Sequence, residues 1–136
     1  MHQTMLNRLE IHNYVLIDSL DITFPEGLVI ISGQTGAGKS ILLGALSLLA
    51  GGKADSSQIS EGADNCVVEA EFTLVDARLK PVVEDAGAEW DEGGLIVRRV
   101  VARSGRSRAF INDCPVTLQT LVGVTSRLFD IHSQHG

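Results

Sequence analysis

Gly33-Gln34-Thr35-Gly36-Ala37-Gly38-Lys39-Ser40 is the stretch on which the fold turns. It fits G-x-x-x-x-G-K-[ST], the pattern of a phosphate-binding loop. Such a loop works only between a buried strand and a helix, so the flanks matter. Gly27-Leu28-Val29-Ile30-Ile31-Ser32 precedes it, apolar and β-branched, and predicts a buried strand. Ile41 to Ala50 follows, almost wholly apolar, and predicts a buried helix. Phosphate oxygens need several donors converging on one point. Glycines let a backbone curl and approach without Cβ clashes. The helix adds its unpaired N–H groups and the positive end of its dipole. The expected cradle is therefore Gly33, Gln34, Thr35, Gly36, Ala37, Gly38, Lys39, Ser40 and Ile41. Lys39 is expected to reach the β- and γ-phosphates and Ser40 to offer its hydroxyl to Mg²⁺.

The totals narrow the class. A chain of 136 residues suits one domain or part of one, and 44% hydrophobic residues suffice for a core. The net charge of −6 argues against a general polyanion binder. The longest apolar runs are too short to span a bilayer, and no secretory signal is present. Cys66 and Cys114 form no C-x-x-C pair and read as free thiols in a reducing compartment. A complete site for nucleotide hydrolysis also needs an acidic residue after a hydrophobic strand. No run of four apolar residues ending in Asp-Glu occurs, so the loop is expected to be part of a site completed elsewhere.

Outward from the loop, Leu6 to Asn13 predicts a half-exposed strand with Leu9 and Ile11 on one face. Asn13-Tyr14 is read as a turn, Ile17 to Phe24 as a second strand and Pro25-Glu26-Gly27 as another turn. Two amphipathic strands before the loop point to an ABC-type ATPase rather than a fold that opens on the loop itself. The loop helix is expected to stop at Gly51-Gly52, and positions 53–65 to form a surface loop. Cys66 to Leu74 alternates cleanly and predicts a strand. Asp76 caps a short helix to about Ala86, with Pro81 in its first turn or interrupting it. Leu95 to Val101 and Ser107 to Asn112 form strands around an Arg103–Arg106 turn, and Asn112-Asp113 turns again. Thr117 caps a helix from Leu118 to about Thr125, and Arg127 to Ile131 is read as a last strand. The fold class is α/β: a phosphate-loop strand with an antiparallel sheet attached.

Two further clusters carry chemistry. Arg98, Arg99, Arg103, Arg106 and Arg108 are five of the eleven basic residues. They suit phosphate or nucleic acid, or else balance Glu89, Asp91 and Glu92; no interleaved aromatics suggest base stacking. In His132-Ser133-Gln134-His135, Gln134 is suited to reach Mg²⁺ and the attacking water. A plain polar loop remains the alternative, and the two histidines lack companion ligands for zinc.

Taken together, Leu9-Glu10-Ile11-His12-Asn13-Tyr14, Gly33 to Ile41, Gly105-Arg106-Ser107-Arg108-Ala109-Phe110-Ile111-Asn112 and Asp130-Ile131-His132-Ser133-Gln134-His135 resemble the N-terminal part of the RecN family. These are bacterial DNA-repair proteins, SMC-like ATPases of the ABC class. The resemblance runs along essentially the whole chain. It implies that residues 1–136 are the N-terminal lobe of an ATPase head, from Walker A through Q-loop. A coiled coil and a C-terminal lobe, carrying the signature motif and the Walker B carboxylates, would lie outside it. It implies ATP and Mg²⁺ as cofactors, Lys39 and Gln134 as catalytic residues, and Ser40 and Gln134 as metal ligands. It further implies homodimerisation through heads that sandwich ATP, action on DNA in double-strand-break repair, recombination proteins as partners, and a cytoplasmic, nucleoid-associated location. One position departs from related heads: Val15 stands where those carry a basic residue near the nucleotide base, so a charged adenine contact is not expected here. The rival readings are a small P-loop kinase or GTPase, and a DNA- or protein-interaction module built on Arg98–Arg108.

Overall fold

The alternation of the first thirty residues builds a hairpin, and the hairpin founds the sheet. The computed structural model describes residues 4–29, 39–53 and 55–129, with backbone alone at 28, 29, 39 and 40. Strand β1 (Met5–Tyr14) pairs antiparallel with β2 (Ile17–Val29). The reversal falls at Val15-Leu16, two residues beyond the expected Asn13-Tyr14, since Tyr14 pairs with Ile17. Asn13 and Val15 both take positive φ, 57° and 53°.

Pro25-Glu26-Gly27 does not turn the chain. Leu6 pairs with Leu28 and Arg8 with Thr23, so four residues of β2 bulge opposite Asn7. Gly27, at φ 78°, supplies the left-handed residue within this bulge. The expected second strand and loop-leading strand are therefore one strand as far as Val29. The bulge also shifts the phase of β1: Leu6, Leu9, Ile11 and Tyr14 are all buried, a spacing plain alternation does not give.

Helix α1 (Lys39–Leu49) leads from β2 to β3 (Asn65–Thr73). Both strands are antiparallel to β1 and lie on either side of it, so β2 and β3 run parallel to one another. The unit is a split βαβ, which is why an otherwise antiparallel sheet has an α/β character. Strands β4 (Leu95–Ala102), β5 (Ser107–Ile111) and β6 (Cys114–Val116) complete a sheet of order β2-β1-β3-β4-β5-β6. β6 was not expected. Asn112 and Asp113, at φ 48° and 67°, make the tight turn that returns the chain as a third strand.

Burial follows the alternation. Cys66, Val68, Ala70 and Phe72 of β3 face inward, as do Leu95, Val97 and Val101 of β4. Ala45, Leu46, Leu48 and Leu49 of α1 cover them. Leu74 breaks the pattern: it has φ 59° and is exposed. Asp76 caps a 3-10 turn (Ala77–Leu79) that leads into α2 (Lys80–Asp85), with Pro81 in its first turn. Thr117 caps α3 (Leu118–Thr125), its hydroxyl accepting from Thr120 N–H at 3.0 Å. Residues 126–128 form a turn, with Leu128 N–H and Phe129 N–H both donating to Thr125 O. The described part of the expected last strand is therefore not a strand; buried Phe129 instead stacks on Phe72, centroids 5.8 Å apart. Positions 130 and 131 lie outside the described residues.

Candidate functional site

The phosphate-loop helix begins where the glycine run closes. Backbone helix starts at Lys39, so Lys39, Ser40 and Ile41 form the first turn of α1. No acidic side chain occupies that turn. Its unpaired N–H groups and dipole end are thus not offset by a carboxylate of its own. Gly33, Gln34, Thr35, Gly36, Ala37 and Gly38 lie outside the described residues, as do Gln134 and both nearby histidines.

The other end of α1 is fastened in detail. Gly52 N–H donates to Ser47 O at 2.8 Å and Gly51 N–H to Leu48 O at 3.1 Å, with Gly51 at φ 92°. This pair of bonds is a Schellman stop, as the Gly51-Gly52 sequence predicted. Its fit is tight, because a Cβ on Gly51 would collide with Cγ2 of Val122 in α3.

The hairpin tip is clamped rather than free. Residues 53–65, expected as a plain surface loop, contain a 3-10 turn (Ser56–Gln58) capped by Asp55. Beyond it, Ile59 and Ser60 are buried. Val15 N–H donates to Gln58 O, Ser60 N–H to Asn13 O, and Ser60 Oγ to Val15 O. These bonds hold the β-branched Val15 in its left-handed conformation. Leu16 projects from the tip, 95% exposed.

The arginine cluster divides by the faces of its strands. Arg98 points to the open face. It donates to Glu69 at 3.1 Å and Asp113 at 3.3 Å, and lies 4.4 Å over the Phe110 ring. Arg103 donates to Ala63 O and Ser60 O and staples the 60–64 segment to the sheet. Arg99 points inward and is buried. Arg106 and Arg108 are exposed, with no ion pair among the described residues. Three of the five arginines thus serve the fold. Alternation in sequence could have divided them by face, but not named their partners.

Among the described residues no group of three His, Cys, Asp or Glu could hold a metal ion. None of the helices there is long and apolar enough to cross a membrane. Cys66 and Cys114 are free, and burial pushes the Cys66 thiol up, partly opposed by the Arg99 charge.

Residues 8–109 match the family model described as "AAA domain". The chain belongs to that family. The resemblance to RecN holds as well. The DNA repair protein RecN of Vibrio cholerae is 37% identical over 96% of this chain, and that of Bacillus subtilis 35% over 96%. The chain spans about a quarter of these relatives' length, 24% and 23%. An Smc head domain with an extended coiled coil from Pyrococcus furiosus superposes with a TM-score of 0.64 at 23% identity, covering 92% of this chain and 33% of that one. The recombination mediator RecF, solved with ATP, gives 0.61 at 17% identity, over 90% and 31%. The fold is that of an SMC-type P-loop ATPase head lobe, within the ABC class to which the hairpin ahead of the glycine loop pointed.

Proposed function

We propose that this chain is the Walker A lobe of an SMC-like ATPase head acting in DNA double-strand-break repair and recombination. The observation that carries the reading is the start of α1 at Lys39, directly after the glycine run, with no carboxylate in its first turn. A phosphate seated there would meet backbone N–H groups and the helix dipole together. In this reading the amides of Gly33 to Ile41 cradle the phosphates of ATP. Lys39 neutralises charge that develops on the transferred group, and Ser40 and Gln134 hold Mg²⁺. The metal, held by Ser40 and Gln134, would supply positive charge to offset that of the phosphates. The acid that orients water belongs to a second lobe, with its signature motif and coiled coil, in the full-length protein. Two heads then close over two ATP molecules, and closure changes the grip on DNA. Similarity to RecN supports the repair role, and a cytoplasmic, nucleoid-associated location would suit that role.

The test uses the full-length protein. ATP binding and DNA-dependent hydrolysis should both fall to background in Lys39→Ala, and Gln134→Ala should lose turnover while keeping nucleotide. Residues 1–136 alone should bind ATP weakly and hydrolyse none. Turnover by that fragment, abolished by Lys39→Ala, would overturn the half-site reading, and a preference for GTP would favour the kinase or GTPase alternative. For a module reading DNA through Arg98–Arg108, only Arg106 and Arg108 remain uncommitted, so that rival loses most of its surface.

A further inference from the structure

One buried cation is unexplained by the phosphate loop, the sheet or the open face. Arg99 lies in the cross-strand row Ile11–Val68–Arg99–Ala109–Val116, and every other member of that row is apolar. It is only 3% exposed. Burial lowers its pKa from the ordinary arginine value, so the position works against the charge it carries. A hydrophobic residue would fill a sheet row more simply. The charge is retained here with an acceptor for each of its three nitrogens.

Those acceptors are specific. Nη1 donates to Leu48 O at 2.8 Å and to Gly52 O at 2.6 Å. Nε and Nη2 donate to Ser107 Oγ at 3.2 and 3.0 Å. The first two acceptors are the carbonyl end of α1. The third belongs to β5, so one planar fork ties the helix end to two strands. Helix α1 has no basic residue in its own last turn. Arg99 supplies, from the sheet, the cation that a helix C-terminus favours.

We propose that Arg99 is a positioning residue for the nucleotide site: it fixes the C-terminal end of the phosphate-loop helix on the sheet and thereby aims its N-terminal end. The inference rests on the reading of Gly33 to Ser40 as the phosphate cradle. An eleven-residue helix is about 16 Å long, too far for direct attraction between guanidinium and phosphate through solvent-screened space. The effect is geometric. A helix pinned at one end transmits a small tilt as a displacement of its first turn, where Lys39 and Ser40 sit.

The experiment measures KM for ATP and kcat on the full-length protein, together with thermal unfolding. Arg99→Met should raise KM about five- to tenfold, with a smaller change in kcat. Arg99→Lys should recover most of the loss, since an ammonium can still reach both carbonyls. Ser107→Ala leaves α1 untouched and releases the other side of the fork, so it should raise KM less, in the same direction. Val83→Ala is the control for simple destabilisation: Val83 is buried in α2, away from this junction. It should lower the melting temperature and leave KM alone. An unchanged KM in Arg99→Met, or an equal rise in Val83→Ala, overturns the proposal. If Arg99→Met does not fold, Arg99→Lys and Ser107→Ala decide, and wild-type KM in both overturns it. Lys39→Ala is run alongside. If it still binds ATP normally, the phosphate-cradle reading has failed rather than the Arg99 inference.

Discussion

The phenolic oxygen of Tyr14, at the end of β1, lies where a side chain on Gly44 of α1 would begin. The hairpin and the phosphate-loop helix are thus in contact through a missing Cβ. Gly44→Ala should overpack this contact by about 1–3 kcal/mol. Against this stands a gain of about 1 kcal/mol for alanine over glycine inside a helix. The net loss should be modest. Adding Tyr14→Phe removes the clashing oxygen, so the double variant should be more stable than Gly44→Ala alone. Urea unfolding of the four proteins in the cycle measures the coupling. Additive effects would show that the two residues do not meet.

Gly51 and Gly62 separate strain from collision. Both have positive φ, 92° and 85°, but only Gly51 faces a neighbour, Val122, while nothing lies within 4 Å of a Cβ on Gly62. Gly62→Ala should cost about 1 kcal/mol, from backbone conformation alone. Gly51→Ala should cost at least about 1 kcal/mol more, from overpacking. Gly51→Ala combined with Val122→Ala should return towards the Gly62→Ala value. Equal losses at the two glycines would contradict the close packing of α1 on α3.

Acid sensitivity should trace in part to Asp21. Arg8 donates to both of its carboxylate oxygens, at 2.9 and 2.7 Å. These bonds hold the Asp21 pKa below its ordinary value of 3.8, the charge of Arg8 adding to the effect. A depressed carboxylate pKa contributes stability that is complete above the unfolded value and lost as pH falls through the folded one. The stability gap between wild type and Asp21→Asn should therefore be constant from neutral pH down to the ordinary aspartate range, then close below it. Salt should shrink it at every pH, because the pair is exposed. Unfolding curves collected from pH 7 to pH 2 test this; a gap that persists unchanged at the acid end would show that another group is responsible.

The arginines should divide by partner rather than by position in the cluster. Arg106→Glu and Arg108→Glu should leave stability within about 0.5 kcal/mol, as expected of exposed sites without partners. Arg103→Ala should loosen the 60–64 segment, read as faster amide exchange there, because its two carbonyl bonds are lost. Arg99→Glu should prevent stable folding by placing a carboxylate against two carbonyl oxygens. Denaturant titrations rank the four, and a strongly destabilised Arg108→Glu would reveal a contact beyond the described residues.

Local signals were legible in the sequence because they depend on neighbours a few positions apart. The glycine run before an apolar helix, the Gly51-Gly52 stop, the Thr117 cap, the alternation of Cys66 to Phe72 and the turn at Asn112-Asp113 all act within one or two turns of chain. They were enough to read a phosphate-loop α/β fold with an antiparallel sheet attached. Tertiary structure alone decided what depends on distant partners. Pro25-Glu26-Gly27 reads as a turn in any short window, and becomes a bulge because β1 pairs on both sides of it. The 55–60 segment looks like a solvated loop until its carbonyls and amides meet the hairpin tip. Arg99 sits one residue from Arg98 in a basic run, and strand alternation sends one to the open face and the other to the end of α1. Sequence supplied the loop and the helix that carries it. The sheet decided how that helix is held, because a buried cation can be placed only where several remote carbonyls converge.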